Sequence, residues 1–589
     1  MIYNICLFFS VVSLLVSFIL ALMFNKKRIN IKPITIILGG VSISALLLFI
    51  PIYYNIVRLN GGSFTVLMSS IYSVVRLFII EGDFEIIASN LGISSPLLTK
   101  IYLAFASVIF ILIPALSLGC IISFFKNISA KWQYILHFNS DVYIFSDVNE
   151  KTVALAESLY KNSKKRFIVF TNVDDQTNGD LLNRANAIKA ACFEKIITEI
   201  NFLYHKKSKK IDFFVLSQDE ASNISDALLL FEKYNNIRNV TIYVLSTKAD
   251  GELILSDAAR SCNYKSGARI YRVNEVRSLI NNILYNQGYQ KIFASANNNE
   301  NIKNINAFVI GMGQHGSAMT KALSWVGQMD GYLINIESFD VNPNAAATFE
   351  ATCPELIKFS GLTDNDFETK YTINVHSGID VNTINFDTVL HSLPKATYIF
   401  ISLGDDELNI SIAVKLRTLY ARMGCYPEIQ AIVFDSNKNK ALENLSNHNG
   451  ERYNIDFIGS ISDIYTEDVI LNSELESAAL ERHKKWGEEA DFWRFDYNYN
   501  SSVASVIHRK IKILCGMVGA EKILSERTEK EKIALRILEH RRWNAYVRSE
   551  GYIYSGTTDK SGRNDMAKMH NCLVAFDKLP PEEQIKDDD

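Results

Sequence analysis

The sequence has no Cys-x-x-Cys pair, although it carries eight cysteines, Cys6, Cys120, Cys192, Cys262, Cys353, Cys425, Cys515 and Cys572. Scattered singly along 589 residues, they offer neither zinc-site spacing nor a disulfide framework and read as reduced thiols. An excess of positive charge is also missing: 61 basic against 64 acidic residues leave a formal net charge of -3. That removes the whole-chain electrostatic case for a nucleic-acid polymer, whose binding needs a basic face to displace counterions. Charge is absent altogether from Ile5 to Phe24, about the length that crosses a hydrocarbon core as a helix.

What is present is a membrane region over residues 1–130 with three spans, about 5–24, 33–57 and 101–125. No basic residue precedes the first run, and Lys26-Lys27-Arg28 follow it, which favours a retained span over a cleaved signal. Lys26, Lys27, Arg28 and Lys32 form one short basic loop, and Lys126 and Lys131 follow the third span. Placing both inside puts the N-terminus outside and everything after Phe125 in the cytoplasm, as a multi-pass protein of the inner membrane. The segment 64–80, with Arg76 among apolar residues, would reverse this orientation if it spanned, so it reads as re-entrant or interfacial. No Thr-Val-Gly-Tyr-Gly sequence occurs, so a carbonyl filter for potassium is unsupported.

From Asp141 the pattern becomes short apolar runs alternating with helical stretches, the signature of a mainly parallel sheet. Val142–Phe145, Phe167–Phe170, Phe213–Leu216, Thr241–Leu245 and Ile270–Val273 are the expected strands of a degenerate Rossmann-like domain, 138–295. Ala307–Ile310, Tyr332–Ile336, Tyr398–Ser402, Gln430–Phe434 and Ile455–Ile458 belong to a second, 303–478. Asp219-Glu220-Ala221-Ser222-Asn223-Ile224-Ser225 echoes Asp406-Glu407-Leu408-Asn409-Ile410-Ser411 after matching strands, as internal duplication would produce. Tandem units of this kind resemble the RCK or TrkA-type domains that regulate potassium conductance.

In the second unit a strand leads into Gly311-Met312-Gly313-Gln314-His315-Gly316 and then a helical segment, the order a dinucleotide turn requires. Gly311 permits the turn, Gly313 lets backbone approach a pyrophosphate, and Gly316 allows helix against strand. Glu337 and Asp340 follow where an acid would accept from a ribose, and Asp405 stands at a later turn as a second candidate or a helix cap. NAD(H) or another adenine nucleotide is the expected cofactor, and no metal is expected. The first unit has Ser146-Asp147-Val148-Asn149 where the phosphate turn belongs and reads as a scaffold or a dimerisation half. His315 has no nucleophile or second base placed beside it by sequence and reads as a surface-turn residue.

Residues 490–589 begin in an aromatic-rich stretch and carry Glu539-His540-Arg541-Arg542-Trp543-Asn544, then Gly551-Tyr552-Ile553-Tyr554 and His570-Asn571-Cys572. This order resembles the ryanodine-receptor (RyR) repeat domain, a small, mainly α module. The resemblance implies that Trp543 stacks a purine base, with His540, Arg542, Asn544, Tyr552 and His570 as further ligand-site residues. Gly551-Tyr552, Tyr554-Ser555 and His570-Asn571 replace the family's usual Gly-Trp, Tyr-Gly and His-Pro, which leaves ligand identity open. In the second helix, expected over 533–549, Ala534, Leu535, Leu538 and Ala545 would face the core.

The fold expectation is thus an N-terminal α-helical transmembrane region, tandem α/β Rossmann-like domains and a small mainly α C-terminal domain. The functional expectation is a membrane sensor-effector without enzyme activity, in which a cytoplasmic nucleotide-type signal controls ion conduction or membrane perturbation, with antiviral defence as a setting by analogy. Its expected partners are membrane lipid, a small nucleotide ligand and further copies of itself, with no nucleic acid polymer. A gating or regulatory subunit for cation transport is the alternative, and a membrane-bound NAD-dependent enzyme a third.

Overall fold

The structure is a computed structural model, describing the chain except residues 1, 27–32, 58–61, 80, 83, 137–139, 175, 202–209, 249–250, 252, 256–257, 259–266, 300–301, 365–366, 472 and 589. Lys27, Arg28 and Lys32 of the basic loop, and Cys262, lie outside the described residues. Two compact units divide it, Met1–Leu136 and His137–Asp589.

In the first unit three helices are long and apolar enough to cross a membrane, with candidate spans Ile2–Ala21, Thr35–Val57 and Pro96–Leu118. The third starts five residues earlier than the sequence suggested, because Pro96 opens a helix that runs on to Leu136, as proline at a first helical position allows. The helix Ile2–Lys26 meets Pro33–Val57 through small residues: the Ser10 and Ser44 hydroxyls each donate to the other's carbonyl, at 2.9 and 2.8 Å. A Cβ on Gly40 would come within 2.2 Å of Ser17 Cβ, so glycine there permits the backbone approach on which apolar helices rely in lipid. Residues 63–78 form one helix that buries Val66, Ser70, Ser73, Val74 and Leu77 and exposes Phe64, Tyr72 and Val75. It is tied laterally to the spans by Ser73 to Tyr53 (2.7 Å) and by Ser117 to the Phe78 carbonyl (3.2 Å).

The second unit holds two parallel sheets of one topology. Strands β1 Val142–Phe145, β2 Phe167–Phe170, β3 Ala191–Cys192, β4 Ile211–Val215, β5 Val240–Leu245 and β6 Arg269–Val273 lie in the order β3-β2-β1-β4-β5-β6. The next sheet begins with a hairpin, β7 Asn297–Asn299 on β8 Ile302–Ile310, and continues with β9 Tyr332–Asp340. After a small hairpin, β10 Thr363–Asp364 and β11 Phe367–Glu368, come β12 Tyr371–Ser377, β13 Tyr398–Ile401, β14 Glu428–Ile432 and β15 Ile455–Ile458. Their order, β12-β9-β8-β13-β14-β15, is again the doubly wound one, with a topological switch beside the first strand where ligands of such sheets sit. Buried continuous runs such as Val142–Phe145 are what strands covered on both faces require.

The C-terminal part is mainly helical: Glu489–Arg494, Asp496–Leu514 and Glu529–Ser549, with a two-residue parallel pair, β16 Ile553–Tyr554 and β17 Met569–His570. Thr528 and Glu531 form a reciprocal capping box at the start of Glu529–Ser549, which sets its first turn earlier than residue 533. Leu535, Leu538 and Ala545 are buried as expected, whereas Ala534 is exposed. Buried and half-buried ion pairs fix this part to both sheets: Arg272 to Asp496 (2.7 Å) and Arg277 to Glu550 (2.9 Å) on the first, Arg548 to Glu355 (3.2 Å) on the second.

Candidate functional site

At the end of β8 the glycine turn has the backbone its motif requires. Gly311 has φ +94°, and a Cβ there would stand 2.2 Å from the Ser402 carbonyl oxygen. A Cβ on Gly316 would lie 1.7 Å from the Gly311 carbonyl oxygen, whereas one on Gly313 would meet nothing within 4 Å. The turn is therefore closed where the helix Gln314–Val326 packs on the strand and open where a phosphate would approach. His315 is half-buried with its ring 5.5 Å from Phe434, and burial lowers its pKa, so it is not the surface-turn histidine expected.

The two ribose candidates separate. Asp340, the last residue of β9, accepts from the Met312 amide (2.6 Å) and from the Asn342 amide (2.7 Å), which leaves lone pairs on a carboxylate already seated at the turn. Glu337 is corrected: it lies three residues earlier, nearly fully buried, and accepts from Asn374 (2.9 Å) and faces His376 Nε2 (2.7 Å) across the neighbouring strand. Strand alternation puts it on the sheet face opposite Ser338, whose hydroxyl meets Thr320 of the glycine-turn helix at 3.0 Å. Asp405 caps the helix Asp406–Arg422 by accepting from Leu408 N (2.8 Å), the helix-cap role weighed for it in the sequence.

The duplication is visible in side-chain roles, with its register beginning at Asp405. Asp219 and Asp405 each cap a helix. The next residue, Glu220 or Asp406, accepts the amides of the following βα turn, Thr247 in one unit and Phe434 and Asp435 in the other. Asn223 and Asn409 then bridge two strand ends, donating to the carbonyls of Leu245 and Ile432. In the first unit the phosphate turn is filled by its own side chains: Asn149 donates to Asp147 (2.8 Å) and to the Leu216 carbonyl (2.9 Å) and caps the next helix.

The C-terminal part contains a cavity of about 190 Å³, larger than the roughly 150 Å³ that admits a benzene ring. Trp543 forms part of its wall, half-buried between His540, stacked at 5.6 Å, and His570, edge-on at 4.9 Å. His570 accepts the Cys572 amide on Nδ1 (3.1 Å), so the remaining proton of its neutral ring is on Nε2. Burial, then the nearby Arg563, pushes its pKa down to about 4. Beneath lies Arg542, 2% exposed, with Nη2 on Glu539 Oε1 at 2.7 Å. Its Nε and Nη1 have no hydrogen-bond partner among the described residues. A buried guanidinium with unused donors costs free energy unless an acceptor arrives. Glu539 is itself fully buried; desolvation opposes its charge, but Arg542 and Lys512 outweigh that and hold its carboxyl well below the usual range.

Arg542 and His540, ligand-site residues by the resemblance, are both buried, His540 facing the Val574 carbonyl through Nε2 (2.9 Å). Asn544 and Tyr552 stand behind the cavity: Asn544 donates to the His540 and Val574 carbonyls, and Tyr552 reaches Asp565. Sequence reasoning missed Glu539, Arg482, Tyr497 and Arg563, which also line the cavity. The i, i+3 spacing of Glu539 and Arg542 was a usable signal for the first.

No family model matches the chain, and no curated protein matches it. Among solved structures it is similar to a chain titled "GsuK Channel", at 15% identity and a TM-score of 0.33, covering 71% of this chain and 92% of that one.

Proposed function

We propose that the protein is a membrane-anchored, ligand-responsive effector: a nucleotide-type ligand enters the C-terminal cavity, and its occupancy biases the membrane helices toward ion conduction or membrane perturbation, as in antiviral signalling. The observation that carries this is Arg542, a buried residue lining the same cavity as Trp543, with two donor positions unused among the described residues. An indole face accepts a purine ring and a guanidinium an acidic group, a combination suited to a nucleotide. Ligand binding shifts a conformational equilibrium only by its differential affinity for the two states, so binding and membrane response must weaken together. The test is titration of the full chain in liposomes with adenosine monophosphate (AMP), reading bound ligand and dye release. Trp543→Ala should lose both; dye release retained by a correctly inserted variant overturns the assignment.

A second reading has one specific observation behind it, the open Gly313 edge with Asp340 seated beside it. An adenine nucleotide there would make the second sheet the controlling site of a gating or regulatory subunit for cation transport. Response to NAD(H) that survives Trp543→Ala and is lost in Gly313→Leu favours this reading.

A further inference from the structure

We infer that Arg482, Arg536 and His540 form a phosphoryl subsite at the mouth of the Trp543 cavity, and that the chain's own Asp587 and Asp588 occupy it as surrogate anions. The inference rests on the reading of that cavity as a ligand site and adds where the ligand's anionic group goes and what it must displace.

Arg536, His540 and Trp543 stand at i, i+4 and i+7 of Glu529–Ser549, so they share one face of the helix. Asp588 engages Arg536 through both oxygens, Nε to Oδ1 at 2.6 Å and Nη2 to Oδ2 at 2.7 Å. That parallel fork is the geometry in which guanidinium holds either carboxylate or phosphate. The Asp588 carbonyl accepts from Arg482 Nη1, and Asp587 Oδ2 lies 3.1 Å from His540 Nδ1. Oxygens therefore face both ring nitrogens of His540, the Val574 carbonyl on one side and the Asp587 carboxylate on the other. Arg482, His540, Trp543 and Asp587 line the same cavity, which makes the Asp587 position continuous with the aromatic wall, and the Arg536–Asp588 fork adjoins it through Arg482.

The occupying segment is built to leave. It is a single 3-10 turn, Ile585–Asp587, whose one large apolar residue, Ile585, is 57% exposed. Few buried apolar contacts mean a low local opening free energy. Its two carboxylates carry the charge of a phosphomonoester, about -1.5 to -2 at neutral pH, so exchange replaces one set of charge-assisted bonds by another. Apparent affinity is reduced by the fraction of molecules in which the segment is open, which makes Asp587 and Asp588 internal competitors that set the ligand threshold.

The experiment is calorimetric titration of the full chain in detergent micelles with AMP, adenosine and inorganic phosphate, on a Gly313→Leu background that removes the glycine turn as a second nucleotide site. Asp587→Asn/Asp588→Asn should tighten AMP about tenfold while changing adenosine little, since only the phosphoryl group competes with the carboxylates. Arg536→Lys, which keeps charge but not the fork, should weaken AMP about tenfold, and phosphate should compete with AMP. Unchanged or weaker AMP binding in the double variant, or indifference to Arg536→Lys, overturns the subsite. AMP binding that is lost in Trp543→Ala yet indifferent to Asp587 and Asp588 overturns the subsite alone, whereas AMP binding indifferent to Trp543, or none, overturns the cavity reading with it.

Discussion

Replacing Glu539 by glutamine removes the single anion held between two buried cations. Glu539 is 1% exposed and meets Arg542 at 2.7 Å, Lys512 at 3.2 Å and the Ser505 hydroxyl at 2.8 Å. Glutamine keeps the shape and an acceptor for Ser505 and Arg542 but turns an amide donor toward Lys512 in place of Oε2, so the charge and that one hydrogen bond go together. Removing one partner of a buried ion pair costs about 3–5 kcal/mol because the survivor is left uncompensated. Here two cations survive, which argues for the upper half of that range, about 4 kcal/mol, against a whole-domain stability of roughly 5–15 kcal/mol. Hydrogen exchange on the full chain, read by mass spectrometry over Glu529–Ser549, measures this locally; 4 kcal/mol is about a thousandfold faster exchange where opening is limiting. Adding Lys512→Met should recover part of the loss, since one surplus charge goes and its volume stays filled. A change below about 1 kcal/mol in Glu539→Gln would refute the reasoning, showing that water already screens the cluster.

Further outcomes follow from single contacts. Gly313→Leu should fold normally and lose adenine-nucleotide binding at the second sheet, while Gly316→Ala should lower the thermal midpoint, because its Cβ would overlap the Gly311 carbonyl oxygen; equal midpoints for the two would contradict the packing argument. His508 is fully buried and burial depresses its pKa to about 4, so its contribution is complete above its unfolded value near 6.5 and is lost as pH falls toward 4. That amounts to about 3 kcal/mol, and the pH dependence of tryptophan-detected unfolding should be shallower in His508→Gln over this window; an unchanged slope would contradict it. Arg548→Met should loosen the C-terminal part from the second sheet, since Arg548 pairs with Glu355 and covers the Phe359 ring at 3.9 Å. Faster proteolysis after residue 480 would report it, and an unaltered digestion pattern would not fit.

How much of this was legible in the sequence depended on whether the cause was local. β1 and β2 match the sequence expectation to the residue because buried apolar runs declare themselves. β12 was missed because Asn374 and His376 interrupt its apolar pattern, and those two residues are the partners of the buried Glu337. The same pairing explains why Glu337 resembled a ribose acid and is not placed as one, and why β9 runs on to Asp340. The glycine turn and the Trp543 helix were readable because their residues are contiguous. Arg482 and Asp588 meet across 106 positions, and no spacing rule reaches that far.

The most direct test of the central claim is mass spectrometry of small molecules released from freshly purified full-length protein, compared between wild type and Trp543→Ala on the Gly313→Leu background. The account predicts a nucleotide recovered from the protein with Trp543 intact and absent from Trp543→Ala. A nucleotide retained in the variant, or none from either protein, would contradict the claim that the C-terminal cavity is where the signal is read.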